Sequence, residues 1–301
     1  MERSQSKRSR IQTTDCILSR MQGSFVTATP AAVKAGSVAL PAAAISTRGA
    51  LTADLQSSLR FVFDSAPSEL PLEEMSMIDT EWHTAFPLSF GADMQRPLAL
   101  SLTREQDPGR TTVEAFIRER FAAVHRADIH HFMPELMALH DRQGQLCAAV
   151  GARLGRTGPM FIEQYLQNPM EQVVSLIAGE PVERRCIVEV GNLAARNAGS
   201  ARLIIVAMTW LLARHGLEWV VFTGAATLIN SFQRLGLEPL LLCDADPERL
   251  GADQGTWGNY YSQHPHVYAG DIRFGLEQLE SSGVLARLGF PFFDPRHCHA
   301  A

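Results

Sequence analysis

The feature that most limits what this chain can fold into is the succession of elements between Cys186 and Thr223. Cys186-Ile-Val-Glu-Val190 reads as a strand, and it runs into Gly191-Asn192-Leu-Ala-Ala, where a glycine inside a strand pattern marks a bulge. Arg196-Asn-Ala-Gly-Ser-Ala201 follows as a short polar loop. It opens into a helix over 202–215 that is apolar on nearly all sides and stopped by Gly216, and residues 219–223 form the next buried strand. Strand, helix and strand in this order make a βαβ unit, with the loop at the point where the first strand hands over to the helix.

A loop in that position is a ready anion site. The first N–H groups of a helix have no partner within the helix, and the helix dipole favours negative charge there. Gly199 lets the backbone approach a phosphate closely. Ser200 and Ala201 are small enough not to crowd it, and Arg196 adds a charged contact at the loop's entry. The same residues also suit an ordinary strand-to-helix connection.

Elements flank the unit on both sides. Residues 97–103 alternate like a strand, Asp107-Pro-Gly109 makes a turn, and Val113, Phe116, Ile117, Phe121 and Val124 mark one face of a helix over 111–127, capped by Thr111 or Thr112. Residues 132–140 and 146–154 read as two strands joined by a hairpin turn. Residues 161–166 are short and ambiguous, and 171–177 form a helix. After the unit come a helix over 227–235 ended by Gly236, an apolar strand over 239–243, an irregular aromatic stretch, and a helix over 272–279.

Charge divides the chain. Residues 1–60 carry 8 Lys+Arg against 3 Asp+Glu, which leaves 19 against 29 for the remainder, so the acidic body excludes a nucleic-acid partner. Both lysines, Lys7 and Lys34, lie in that first segment, which rules out Schiff-base chemistry or a P-loop lysine in the body. Residues 1–65 show no sustained periodicity and read as a disordered or loosely attached leader rather than a targeting peptide. The main domain is expected over 66–280, with a tail over 281–301. The longest apolar run, 203–213, is about half the roughly 20 residues a membrane span needs. Five scattered cysteines without C-x-x-C spacing suit reduced thiols in the cytoplasm. His297-Cys298-His299 lies in the tail without partner ligands, so no metal site is expected.

The order of strand, helix, strands, bulged strand, R-x-x-G-x-A, long helix, strand, helix and strand resembles the GNAT acyl-CoA N-acyltransferase superfamily. That likeness implies an α/β (α+β) fold, a mixed and strongly twisted central sheet flanked by helices. It also implies that Arg196, Asn197, Ala198, Gly199, Ser200 and Ala201 cradle the phosphates of acyl-CoA or an acyl-carrier-protein thioester as co-substrate, with no tightly bound cofactor. Over residues 97–275 the blocks Phe161-Ile-Glu-Gln-Tyr-Leu166, Val188-Glu-Val-Gly-Asn-Leu-Ala194, Val221-Phe-Thr223, Arg234-Leu-Gly-Leu237, Ala245-Asp-Pro-Glu-Arg-Leu250 and Trp257-Gly-Asn-Tyr-Tyr261 are similar to the thermostable hemolysin family. That family is named for lysis yet has a GNAT-like fold that resembles acyl-homoserine-lactone synthases.

Acyl transfer to an amine needs a base, polar groups at the thioester carbonyl and often an acid for the departing thiolate. Glu189, set between apolar neighbours before the phosphate loop, is the first candidate for the base, because burial raises a carboxyl pKa. Its alternative role is pairing with Arg184 or Arg185. Glu163 is the second candidate, with Tyr165 as donor or acid, and Asn192 is placed to bind carbonyl or acceptor, each against a plain structural role. GNAT enzymes commonly carry a tyrosine acid at the position that Phe232 holds here. Phenylalanine has no proton to give, so Tyr165, Tyr260 and Tyr261 stand as substitutes. Trp257, Tyr260, Tyr261, Tyr268 and Asp271 form either a lid or acceptor pocket or a packed extension. The functional readings are therefore an acyltransferase with a small-molecule acceptor and a CoA or carrier-protein donor, a membrane-active hemolysin, and a silent thioester-binding module.

Overall fold

The computed structural model describes residues 85–93 and 95–290. The leader expected over 1–65, Cys16, and the 297–299 cluster lie outside the described residues. Strands β1 (Leu88–Phe90), β2 (Leu98–Thr103), β3 (Glu135–His140), β4 (Leu146–Leu154), β5 (Ile187–Ala195), β6 (Trp219–Gly224), β7 (Leu240–Asp244) and β8 (His266–Asp271) form one sheet in the order β1-β2-β3-β4-β5-β6-β8-β7. Only β5 and β6 run parallel, as a βαβ unit requires, and all other neighbours are antiparallel. The helices are α1 (Arg110–His125), α2 (Met170–Ala178), α3 (Ala198–Arg214), α4 (Ala226–Gln233), α5 (Ile272–Ser281) and α6 (Val284–Arg287). This is the mixed sheet flanked by helices that the GNAT likeness implies.

Alternation along the strands sorts side chains to two faces. Met137, Leu139, Ala148, Val150 and Val188 face one way, into a core closed by α3, α5 and α6. Leu136, Ala138 and Ala149 face the other way, onto Val113, Ile117 and Phe121 of α1. Further along that second face, Ile187, Trp219 and Val221 pack on Met160, Ile162 and α2. The part of 281–301 that is described joins the first core: Phe290 stacks on Phe90 with ring centroids 4.4 Å apart and lies tilted against Trp210 at 5.5 Å.

Three local readings differ from the sequence expectation. Helix α1 begins at Arg110 with Gly109 as N-cap and no side-chain cap, so neither Thr111 nor Thr112 plays that part. The buried guanidinium of Arg110 instead donates to the carbonyls of Met133 and Pro134, both at 2.7 Å, and ties the helix start to the chain entering β3. Helix α3 begins at Ala198, so the expected loop already contains the first helical turn. Strand β8, read as part of an irregular aromatic stretch, lies between β6 and β7 with Val267 and Ala269 buried on one face.

Candidate functional site

The βαβ unit opens the sheet. Strands β5 and β6 pair only through Ile187↔Trp219, Val188↔Val220 and Glu189↔Val221, although β5 continues to Ala195 and β6 to Gly224. Beyond Glu189 the two strands diverge. The expected bulge is part of the cause: between Gly151↔Gly191 and Ala149↔Ala194, β5 spends one residue more than β4. Asn192 in the bulge has φ 51°, a left-handed conformation that asparagine tolerates better than most residues. Its Oδ1 accepts the Met133 N–H at 2.8 Å and its Nδ2 donates to the His131 carbonyl at 3.3 Å. Asn192 thus fastens the chain entering β3 across the bulge.

At the far end of β5 the 196–201 segment turns into α3. Asn197 is the N-cap: its Oδ1 accepts the Ser200 N–H at 2.9 Å while Ser200 Oγ accepts the Asn197 N–H at 3.2 Å, a reciprocal capping box. A Cβ on Gly199 would come within 3.0 Å of Asn197 Oδ1, so the glycine leaves the cap room. The cap uses the N–H of Ser200, and Ala201 N–H bonds to the Asn197 carbonyl at 3.0 Å. The N–H groups of Ala198 and Gly199, earlier in the turn, have no acceptor in the helix's own ladder. Arg196 is exposed and donates to Gln145 Oε1 at 3.0 Å, beside the turn.

Glu189 sits where the pairing ends. It is 0% exposed, and its two oxygens accept the N–H groups of Phe161 and Ile162, both at 2.9 Å. Burial raises its pKa above the usual carboxylate value, against these two bonds and the nearby Arg153. The arginine near it is therefore Arg153, 3.6 Å away, and not Arg184 or Arg185. Arg184 instead holds Glu163 and Glu171, each at 2.7 Å, and Arg185 holds Glu183. Glu163 also accepts the N–H groups of Met160 (2.8 Å) and Met170 (3.0 Å). Arg184 and these bonds drive its pKa down to about 2. A carboxylate so fully engaged organises the 160–170 segment. Tyr165 is buried and its hydroxyl bonds that of Tyr261; burial pushes its pKa up to about 12.

One cavity of about 490 Å³ collects most of these groups. Glu189, Asn192, Arg196, Asn197, Ala198 and Ala201 line it; Glu163, Tyr165, Gly199 and Ser200 do not. The remaining walls come from distant parts of the chain, of which the sequence marks Trp257 and Tyr260 as a lid, acceptor pocket or packed extension. Phe121 and His125 reach in from the end of α1, Phe161 from the segment before α2, and Trp257 and Tyr260 from the stretch before β8. Trp257 lies 6.3 Å from Phe121, 6.1 Å from Phe161 and 5.6 Å from Tyr260 by ring centroids, so these aromatics hold one another in place. Burial lowers the pKa of His125 and keeps its imidazole neutral at neutral pH. Tyr260 is the only tyrosine lining the cavity among the described residues; its hydroxyl bonds Thr223, and burial pushes its pKa up to about 12. Phe232 lines the opposite wall, stacked on Phe222. Tyr268, also singled out in the sequence, stacks on Phe222 as well, and Asp271 caps α5 through the Phe274 N–H at 2.8 Å. Among the described residues no cluster of His, Cys, Asp and Glu is arranged to hold a metal.

The sequence profile of the family described as thermostable hemolysin matches residues 103–276. No curated protein matches. Among solved structures, the chain is similar to the AHL synthase LasI at 11% identity, over 65% of this chain and 98% of that one, with a TM-score of 0.42. It is similar to TofI, solved in a ternary complex with an inhibitor and MTA, at 14% identity over 60% and 96%, TM-score 0.40. FeeM, an N-acyl amino acid synthase from uncultured soil microbes, is similar at 12% identity over 62% and 97%, TM-score 0.40.

Proposed function

We propose that this chain, which belongs to the thermostable hemolysin family, binds an acyl thioester of CoA or of an acyl-carrier protein and transfers the acyl group to a small amine. The observation that carries this reading is the continuity of the cavity, which runs from the start of α3 through the gap between β5 and β6 to Glu189.

Each part of the reaction has a physical counterpart in that path. The N–H group of Ala198, the α3 dipole and Arg196 suit phosphates at its entrance. Beyond Glu189 the edge of β5 has no β6 partner, so an amide-bearing pantetheine arm can pair with it as a short strand would. The thioester carbonyl then lies in the gap. Glu189, with its raised pKa, takes a proton from the attacking amine, and Arg153 steadies the carboxylate while the charge changes. The departing sulfur takes its proton from Tyr260, the cavity's tyrosine, in place of the hydroxyl that Phe232 lacks. In this account Glu163 ties the 160–170 segment to Arg184, Tyr165 ties it to Tyr261, and Asn192 fixes the bulge.

Calorimetry with CoA and acyl-CoAs tests the donor site. The wild-type chain is expected to bind saturably, and Gly199→Trp, which blocks the first turn, and Arg196→Glu, which reverses its charge, are each expected to weaken binding about tenfold or more. A wild-type chain with no affinity for CoA, acyl-CoA or loaded carrier protein would overturn the proposal. Phe232 favours one second reading, a module that binds thioesters without turning them over; binding with no turnover across an amine panel would establish it.

A further inference from the structure

We infer that the donor carries a long alkyl chain, and that this chain lies on the α3/α4/α5 side of the sheet in an apolar compartment of which Phe232 is a wall. The inference rests on the reading of residues 196–201 as the donor site.

The cavity has two chemically different ends, because it passes through the sheet where β5 and β6 part. Glu189 shares the face of Ile187, towards α1 and the 160–170 segment, and the polar groups of the cavity gather there: Glu189, Arg153, Asn192, His125 and Tyr260. On the opposite face, with Val188 and Val220, the lining is Met208 and Leu212 of α3, Phe222 of β6, Leu228 and Phe232 of α4, and Ile272 of α5. The polar atoms near this second end are already engaged. Thr209 Oγ1 donates to the Ile205 carbonyl at 2.9 Å and Ser231 Oγ to the Thr227 carbonyl at 3.3 Å, each within its own helix. Asp271 accepts the Phe274 N–H. Apart from the exposed Thr227 and Glu238 at the rim, what remains facing the space is mostly carbon.

Protein interiors are close-packed, so an apolar space of this kind between helices is the signature of an apolar ligand. An acetyl group on a thioester held in the gap would leave it unfilled. A long alkyl chain fills it and keeps the carbonyl beside Glu189. This also accounts for the departure at the expected tyrosine acid. Phe232 stacks on Phe222 with centroids 5.0 Å apart and planes at 15°, inside the carbon-lined end. A tyrosine hydroxyl there would have to be buried against the alkyl chain, at a cost that phenylalanine avoids. The proton donor is correspondingly on the other face, at Tyr260.

The test measures binding of CoA, acetyl-CoA, octanoyl-CoA and dodecanoyl-CoA by calorimetry, with acetyl- and dodecanoyl-loaded carrier protein as a second arm that separates the two donor sources. Affinity is expected to rise roughly two- to fourfold per added methylene until the compartment is full. Leu228→Trp and, from the facing helix, Thr209→Phe are each expected to shift the preference to shorter chains, with folding checked by circular dichroism so that one intact variant suffices. If CoA binds but chain length has no effect in either arm, or if folded variants keep the wild-type preference, the inference falls and the donor-site reading stands. If neither CoA nor carrier protein binds, both fall.

Discussion

Glu163 and Glu189 lie on the same side of the sheet and shift in opposite directions, which makes them separable by pH. Glu163 drops from an ordinary value of 4.5 to about 2, chiefly through its hydrogen bonds with Arg184. The unfolded chain therefore binds a proton there more readily than the folded one between these values. The resulting stability, on the order of 3 kcal/mol, is complete above pH 4.5 and lost as pH falls towards 2. Glu163→Gln is expected to lose roughly 2–4 kcal/mol at pH 7 in urea unfolding, with the gap to wild type closing as pH falls. Glu189 has the opposite sign. Its folded pKa is raised, so the folded chain holds the proton more tightly, and stability declines as pH climbs above 4.5. Glu189→Gln should flatten that decline while leaving one of the N–H groups of Phe161 and Ile162 facing an amide NH₂. A Glu163→Gln variant equally destabilised at every pH would overturn this assignment of charge.

Among the elements, β4 and β5 depend on two glycines set opposite each other. A Cβ on Gly151 would lie 2.5 Å from Met133 Cβ and 2.7 Å from Met133 Cγ, close to the backbone, whereas one on Gly191 would clash only with the terminal Met133 Cε at 2.6 Å. Gly151→Ala is therefore expected to cost about 1–3 kcal/mol by overpacking, Gly191→Ala less, and Met133→Ala to relieve the Gly191 variant in thermal unfolding. Equal costs at the two glycines would show that the space is not set by Met133. These same strands explain what was legible beforehand. The βαβ unit could be read because its strands are continuous apolar runs and Gly191, Gly199 and Gly216 punctuate it at the bulge, the turn and the helix end. Strand β8 could not, because only Val267 and Ala269 mark its buried face and its context is a cluster of histidine and tyrosine. Arg196, Asn197, Ala198, Ala201, Glu189 and Asn192 were found because local sequence surrounds them with a strand end and a helix start. Trp257 and Tyr260 stood out through their aromatic clustering as a lid, pocket or packed extension, whereas His125 and Phe161 reach the same cavity only through tertiary packing, for which single-sequence periodicity has no signal.

At the scale of the whole molecule, the family's association with lysis has to be reconciled with a fold built around an internal cavity. Among the described residues no helix is long and apolar enough to cross a membrane, and the lysines of the chain all lie in residues 1–60, so the acidic body has only arginine and histidine to offer an anionic lipid surface. An acyltransferase with a carbon-lined donor compartment offers an indirect route: a long-chain acyl group joined to a small polar amine is a surfactant, small enough to survive heating that unfolds the protein that made it. Lysis of red cells should then follow the product. A reaction containing enzyme, dodecanoyl donor and acceptor is expected to yield a lytic extract after the protein is removed. The purified chain freed of small molecules is expected to be inactive, and Gly199→Trp should lose the product and the lysis together. Full lysis by the heated, small-molecule-free protein would show instead that the chain acts on the membrane itself.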